Sequence, residues 1–220
     1  MLLSMNVIEL FSSIDGEGKR QGFLTTFLRL HDCNIRCSYC DTLYSYGPES
    51  TFESMSVRAV ADVIEQLENY RITVTGGEPL LQEPAIIELI DELTRRNARY
   101  DFNIETNGTI IPSFHRDNVW FTYDYKTPSS LAEDAMNLDI FKVATPADII
   151  KFVVGSMQDL DRMDEILKTY PTDAQIFVSP VWGNIEGATI IEYMKAHNWQ
   201  NVRFQLQIHK FIWDPDAKGV

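Results

Sequence analysis

The chain has only three cysteines among its 220 residues, all between positions 33 and 40, and no fourth. So small and odd a number excludes a disulfide framework, because bridges across such short loops would be strained and one thiol would be left over. Basic residues are also scarce: 19 Lys and Arg face 32 Asp and Glu, a net charge of −13. With no local basic patch, that balance argues against nucleic-acid binding. No uncharged apolar run approaches the roughly 18 residues of a membrane span. The start, MLLSMNVIEL, lacks the basic head and long apolar stretch of an export signal. Together these absences predict a cytoplasmic protein without a membrane or nucleic-acid partner. What is present is ordinary globular usage, 45% apolar and 23% charged, at a length that suggests one domain over 1–220.

Cys33, Cys37 and Cys40, in HDCNIRCSYC, are spaced C-x3-C-x2-C. Clustered thiolates select zinc, copper(I) or iron–sulfur clusters. A structural site closes its shell with four protein ligands, whereas a reactive site leaves a position open. On spacing alone two readings remain. One is a Cys3His zinc site, completed by His31 or His209, in a non-enzymatic binding module. The other is a [4Fe–4S] cluster with three irons on thiolates and the fourth free for a substrate or cofactor. His31 lies two residues before Cys33 at an apparent strand end, and the paired ligand dyads of zinc knuckles are lacking, so the cluster is favoured.

Around the cysteines, hydrophobic periodicity alternates between strand and helix. FLTTFLRLH (23–31) reads as a strand running into the cysteine loop. Val57, Val60, Ala61, Ile64 and Leu67 recur at helical spacing after the candidate caps Ser54 and Ser56. RITVT (71–75) is a strand ending in Gly76-Gly77, and a second helix starts near Pro84. Strand signals follow at 100–106, 119–125, 148–154, 175–179 and 202–208, with helices after Met157 and around Ile190. The stretch 127–147 reads as an irregular insertion. Such alternation requires right-handed crossovers and a parallel sheet. The units are too few for a complete eight-stranded barrel, so the expected fold is α/β, a partial, open βα barrel with about six parallel strands. Its site should gather at the carboxyl ends of the strands, where the cysteines, TGGEP, ETNG and Lys126 lie.

CNIRCSYC resembles the C-x3-C-x2-aromatic-C motif of radical S-adenosylmethionine (SAM) enzymes, and TGGEP (75–79) is similar to their second signature. Within that superfamily, SSIDGEG (12–18), FLRLHDCN, CDT after the last cysteine, ETNG and the tail QLQIHKFIWDPDAKGV are similar to the 7-carboxy-7-deazaguanine synthases. The resemblance implies a lyase of 7-deazapurine (queuosine) biosynthesis that converts 6-carboxy-5,6,7,8-tetrahydropterin to 7-carboxy-7-deazaguanine and releases ammonia. It implies a [4Fe–4S] cluster, SAM and Mg2+, an electron donor such as flavodoxin or ferredoxin, and a homodimer. No side chain is implied as catalytic, since the cluster and SAM generate the radical.

Carried over residue by residue, the resemblance gives the cluster to Cys33, Cys37 and Cys40 and Mg2+ to Thr42, with Asp41 an alternative carboxylate ligand. The SAM contacts it implies are Tyr39, Cys40, Asp41, Gly77 and Glu78, then Asp124, Tyr125 and Lys126, then Ser179, Pro180, Val181 and Trp182. The family has Ser-Pro-Lys where this chain has Asp124-Tyr125-Lys126. The implied substrate contacts are Ile14, Asp15, Gly16 and Glu17, with Asp15 in place of the family's glutamine, and Arg29, Thr75, His209 and the carboxylate of Val220. Residues 1–22 are thus expected as a substrate-loop extension and 209–220 as a tail near the site. One enzymatic rival is an activase that takes hydrogen from a glycine of a partner protein; IDGEG, Arg29 and Thr42 suit a small anionic substrate better.

Overall fold

The structure, a computed structural model, describes residues 3–215 and 217–220. The first two residues of the amino-terminal extension and position 216 of the tail lie outside them. The strands are β1 (Ser4–Ile14), β2 (Leu24–Leu30), β3 (Glu53–Ser56), β4 (Arg71–Gly76), β5 (Asp101–Thr106), β6 (Val119–Tyr125), β7 (Ile149–Val154), β8 (Gln175–Pro180) and β9 (Val202–Phe204). They form one sheet in the order β3-β1-β2-β4-β5-β6-β7-β8-β9, open at both ends. The helices are α1 (Val57–Gln66), α2 (Glu83–Arg96), α3 (Ile140–Val143), α4 (Met157–Thr169), α5 (Gly187–Ala196) and α6 (His209–Ile212).

Local chemistry sets the helix starts. The Ser56 hydroxyl accepts from the Ala59 amide to cap α1, and Ser156 does the same from Asp159 for α4. Pro84 sits in the first turn of α2, where its missing N–H costs nothing. The inner stripes of α1 (Val60, Ala61, Ile64) and α2 (Ile86, Leu89, Leu93) share one apolar core with Leu28, Leu30, Ile72, Val74, Phe102 and Ile104 of the strands. Those strand residues alternate with Thr25, Phe27, Arg29, Thr73, Thr75, Asn103 and Glu105, which point to the other face. The sheet is therefore apolar under its helices and polar inside its curve.

Strands β2 and β4 to β9 run parallel, seven rather than about six. Two antiparallel strands extend the edge: β1 pairs with β2 and β3 with β1. Half of the expected loop extension 1–22 is therefore strand, Ser4–Ile14, and the loop proper follows it. A bulge at Ile8, where Val7 faces Leu30 and Glu9 faces Arg29, breaks its alternation. The last strand stops at Phe204 instead of 208. Gln205 turns aside there, its side chain bonding both the amide (2.7 Å) and the carbonyl (2.9 Å) of Gly18. Residues 127–147 hold two short 3-10 turns and α3.

Candidate active site

The cysteine loop leaves β2 and is bonded to the loops after its neighbouring strands. Asp32, in the left-handed region at φ 80, accepts from the Glu78 amide (2.8 Å) and donates to the Ser45 carbonyl (2.8 Å). Asn107, after β5, donates to Asn34 Oδ1 (2.9 Å) and lies 3.7 Å from Cys33 Sγ. The Ser38 amide donates to the Ser130 carbonyl beyond β6 (2.9 Å). The three thiols are free and half-buried. Burial raises Cys33, and it raises Cys37 to about 11 against the pull of Lys126. The zinc alternative finds no fourth ligand here. His31 packs its ring on Phe52 at 4.3 Å, and His209 lies against Gly16. Among the described residues no three His, Cys, Asp or Glu side chains are placed to share one ion.

All three thiols line a cavity inside the sheet's curve. Of the expected cofactor residues, Tyr39, Asp41, Gly77, Asp124, Lys126, Val181 and Trp182 line it. Tyr39 is steadied by a hydrogen bond from its hydroxyl to the Val153 carbonyl (3.3 Å), and Trp182 packs edge-on against Phe211. Asp124 Oδ2 takes the Lys126 ammonium at 3.0 Å, while the buried Oδ1 has no hydrogen-bond partner among the described residues. An orphaned acceptor beside the thiols fits a hydroxyl or ammonium donor such as SAM carries.

Glu78, Tyr125, Ser179 and Pro180 do not line the cavity. Glu78 is fully buried, and its carboxylate accepts from Thr106 Oγ1, the Asn107 amide and the Leu80 amide. It ties the end of β5 to the turn after β4. Tyr125 is buried with its hydroxyl on Glu133 (2.9 Å), and Ser179 donates to Glu17 (3.1 Å). Gly77 has a tighter local reason than ligand approach, since a Cβ there would fall 1.9 Å from the Asp32 carbonyl oxygen.

The expected substrate residues Ile14, Asp15, Gly16, Glu17, Arg29, Thr75, His209 and Val220 all line the cavity. Asp15 is inserted from below, its carboxylate accepting from Thr25 (2.9 Å) and Thr73 (3.2 Å), and burial raises its pKa. Its side chain is thus engaged by the fold. Arg29 donates through Nε to Glu9 Oε2 (2.9 Å), the oxygen that also takes the Tyr44 hydroxyl (3.0 Å). Among the described residues the two terminal nitrogens of that guanidinium have no hydrogen-bond partner, which leaves them for a ligand. Thr42 lies beside the thiols, its hydroxyl 3.7 Å from Cys40 Sγ. His209 is pushed below its ordinary value by burial.

Sequence reading passed over Glu9 and Lys151, and noted Glu105 only as part of ETNG, without a role. Glu105 accepts from Thr75 (3.2 Å), and burial raises its carboxyl to about 7, with Lys151 opposing and Asp15 and Glu17 adding to the rise. A carboxyl raised on folding binds its proton more tightly in the native state, so this group's contribution to stability is present below about 4.5 and lost as pH rises through about 7. Glu105→Gln should therefore raise the Tm at pH 8 relative to the parent and leave it nearly unchanged at pH 4. Thermal melts at the two pH values check this.

The radical SAM superfamily profile matches residues 29–154. The chain is 37% identical to the 7-carboxy-7-deazaguanine synthase of Clostridium acetobutylicum, over 99% of this chain and 100% of the relative. It is 36% identical to that of Methanospirillum hungatei JF-1, over 96% of this chain and 86% of the relative. The crystal structure of QueE from Escherichia coli shares the fold, with a TM-score of 0.70 at 24% identity, over 92% of this chain and 93% of that one. Radical SAM enzymes use a [4Fe–4S] cluster and SAM, which three thiols on one exposed loop fit. The chain belongs to the radical SAM superfamily and, within it, to the 7-carboxy-7-deazaguanine synthase family.

Proposed function

We propose that the protein converts 6-carboxy-5,6,7,8-tetrahydropterin to 7-carboxy-7-deazaguanine, contracting the ring and releasing ammonia. The observation that carries this reading is a cavity whose wall holds three thiols, a guanidinium whose two terminal nitrogens have no partner among the described residues, and a set of oxygen acceptors. When bound, the cluster and SAM supply one-electron chemistry, a carbon radical that takes hydrogen from the substrate. The residues do the rest. Arg29 offers a bidentate face to the substrate carboxylate, aimed by Glu9. Glu17, Thr75 and Glu105 present acceptors to the N–H edge of the pterin, while Tyr39, Asp124 and Lys126 hold SAM. The overall conversion loses only the elements of ammonia and needs no net oxidant, consistent with SAM being recycled.

Thr42 is the proposed Mg2+ ligand. Mg2+ needs few protein oxygens because it keeps several waters, and a substrate carboxylate beside Arg29 would complete its shell. A flavodoxin or ferredoxin as electron donor and a homodimer belong to the same reading. So does the tail: Val220 lines the cavity, and Lys218 packs over the Tyr44 ring at 4.3 Å. A cavity covered in this way suits a small molecule better than a loop of a partner protein.

The test is anaerobic turnover of carboxytetrahydropterin by reconstituted enzyme with SAM, dithionite and Mg2+. Appearance of the deazaguanine chromophore supports the reading; modification of a large protein with the pterin untouched would replace it with the activase. Arg29→Lys should raise the KM for the pterin about 10- to 100-fold with kcat less affected, because a point ammonium cannot reproduce the two-pronged contact.

A further inference from the structure

Lys151 stands in the middle of β7, its Cα paired with Asp124 of β6 and Phe177 of β8. Its side chain is only 8% exposed. The ammonium donates to Glu17 Oε2 at 3.2 Å and lies 3.7 Å from Asp124 Oδ2. Burial alone would lower its pKa, yet Glu17, Asp124 and Glu105 together raise it well above the ordinary lysine value. Glu17 comes from the loop between β1 and β2, far from β7 in sequence. Ser179 and Gln207 also donate to it, at 3.1 and 3.2 Å.

The partners are unequal. Asp124 has a second, closer cation in Lys126 at 3.0 Å. For Glu17, Lys151 is the one ammonium within ion-pair distance among the described residues, and nearby His209 is kept toward neutrality by burial. Burial would push the Glu17 carboxyl up, but Lys151, the Gln207 hydrogen bond and His209 bring it down to about 2. A buried carboxylate without its cation is costly and recovers by taking a proton or swinging out.

We infer that Lys151 is a positioning residue of the substrate site. Its ion pair keeps Glu17 turned into the cavity as an acceptor and, through Asp124, ties the substrate loop to the strand beside the cysteine loop. This deepens the proposed function and rests on it, since Glu17 is the contact through which Lys151 acts. Neither residue lies in a motif that binds the cluster. Joining loop and strand in this way would let one lysine register the two halves of the site.

The test uses the reconstituted holoenzyme, anaerobic, with SAM and without reductant, so that carboxytetrahydropterin binds but does not turn over. Dissociation constants for the pterin and for SAM are measured between pH 6 and 9. The variants are Lys151→Met, Glu17→Gln, both together, and Lys151→Arg. Groups facing Glu17 from the packed elements are Lys151, Asp124 with Lys126, Glu105, His209 and, on its own loop, Asp15, so each profile is compared with the same change made in the Glu17→Gln background.

Lys151→Met should weaken the pterin at least tenfold at pH 7 and SAM less than threefold. Part of that loss should recover toward pH 9, where Glu17 regains its charge. In the Glu17→Gln background the same change should cost little more and show no such recovery. Additive losses, or a loss independent of pH, would overturn the positioning role. If Lys151→Met does not accumulate as folded protein, Lys151→Arg decides: pterin affinity within threefold of the parent supports the role, and a tenfold loss overturns it. Parent enzyme that binds SAM but no pterin would overturn the substrate reading instead.

Discussion

Cys37→Ala is expected to eliminate iron incorporation and turnover while leaving the fold standing. The thiol is half-buried on a loop, outside the apolar core that α1 and α2 make with the sheet. Its loss removes few packed atoms, and a change at such a site costs at most about 1 kcal/mol. The loop keeps its other ties, through Asp32 to Glu78 and Ser45, Asn34 to Asn107, and Ser38 to Ser130. For the cluster the change is far larger. With no fourth cysteine in the chain, the substitution leaves two thiolate donors for four irons. Anaerobically reconstituted variant should be colourless, hold well under one iron per chain, and form no product, with far-ultraviolet circular dichroism and Tm close to the parent. A brown variant that still cleaves SAM would remove the thiol trio from the site.

The fold was legible wherever periodicity was clean. Ser56 and Pro84 mark helix starts where they fall, and β2 and β4 to β8 lie within a residue or two of the expected runs. The strand β1 was not legible, because the bulge at Ile8 puts two residues of one strand against one of its neighbour and disrupts the alternation. The end of β9 was hidden for another reason: VRFQLQI alternates well, but Gln205 and Gln207 are drawn to Gly18 and Glu17, more than 180 residues away. In the site, motif spacing marked the cysteines, and the family resemblance marked Arg29. The half-buried Glu9 and the buried Lys151 sit on strands that look ordinary. A signal for a polar interior was present in the polar residues alternating along RITVT, DFNIET and FTYDY, since a parallel strand covered on both faces by helices would be apolar throughout. One polar face per strand means a curve that encloses a site.

Gly77→Ala should remove most of the cluster by displacing Cys33 without touching any thiol. A Cβ built at Gly77 would stand 1.9 Å from the Asp32 carbonyl oxygen, 2.5 Å from its carbonyl carbon and 2.8 Å from Cys33 Cβ. The first two are backbone atoms, so no rotamer change relieves the clash. At this spot the two loops are also joined by hydrogen bonds, Gly77 N to Leu30 O at 3.2 Å and Glu78 N to Asp32 O at 2.8 Å. Making room means parting them, which gives up the second bond and moves Cys33 away from Asn107. Overpacking of this kind costs about 1–3 kcal/mol, and the exposed Glu78 amide adds roughly 1 kcal/mol. For a domain of this size that is a fall in Tm of about 4–16 °C. Gly155→Ala is the matched control, because its added Cβ meets nothing closer than 3.4 Å, the side chains of Asn184 and Ser129. Iron content per folded chain and thermal melts read both variants. Gly77→Ala with full iron and an unshifted Tm would show that the second motif does not hold the cysteine loop in place, and the need for glycine would then lie with the ligand.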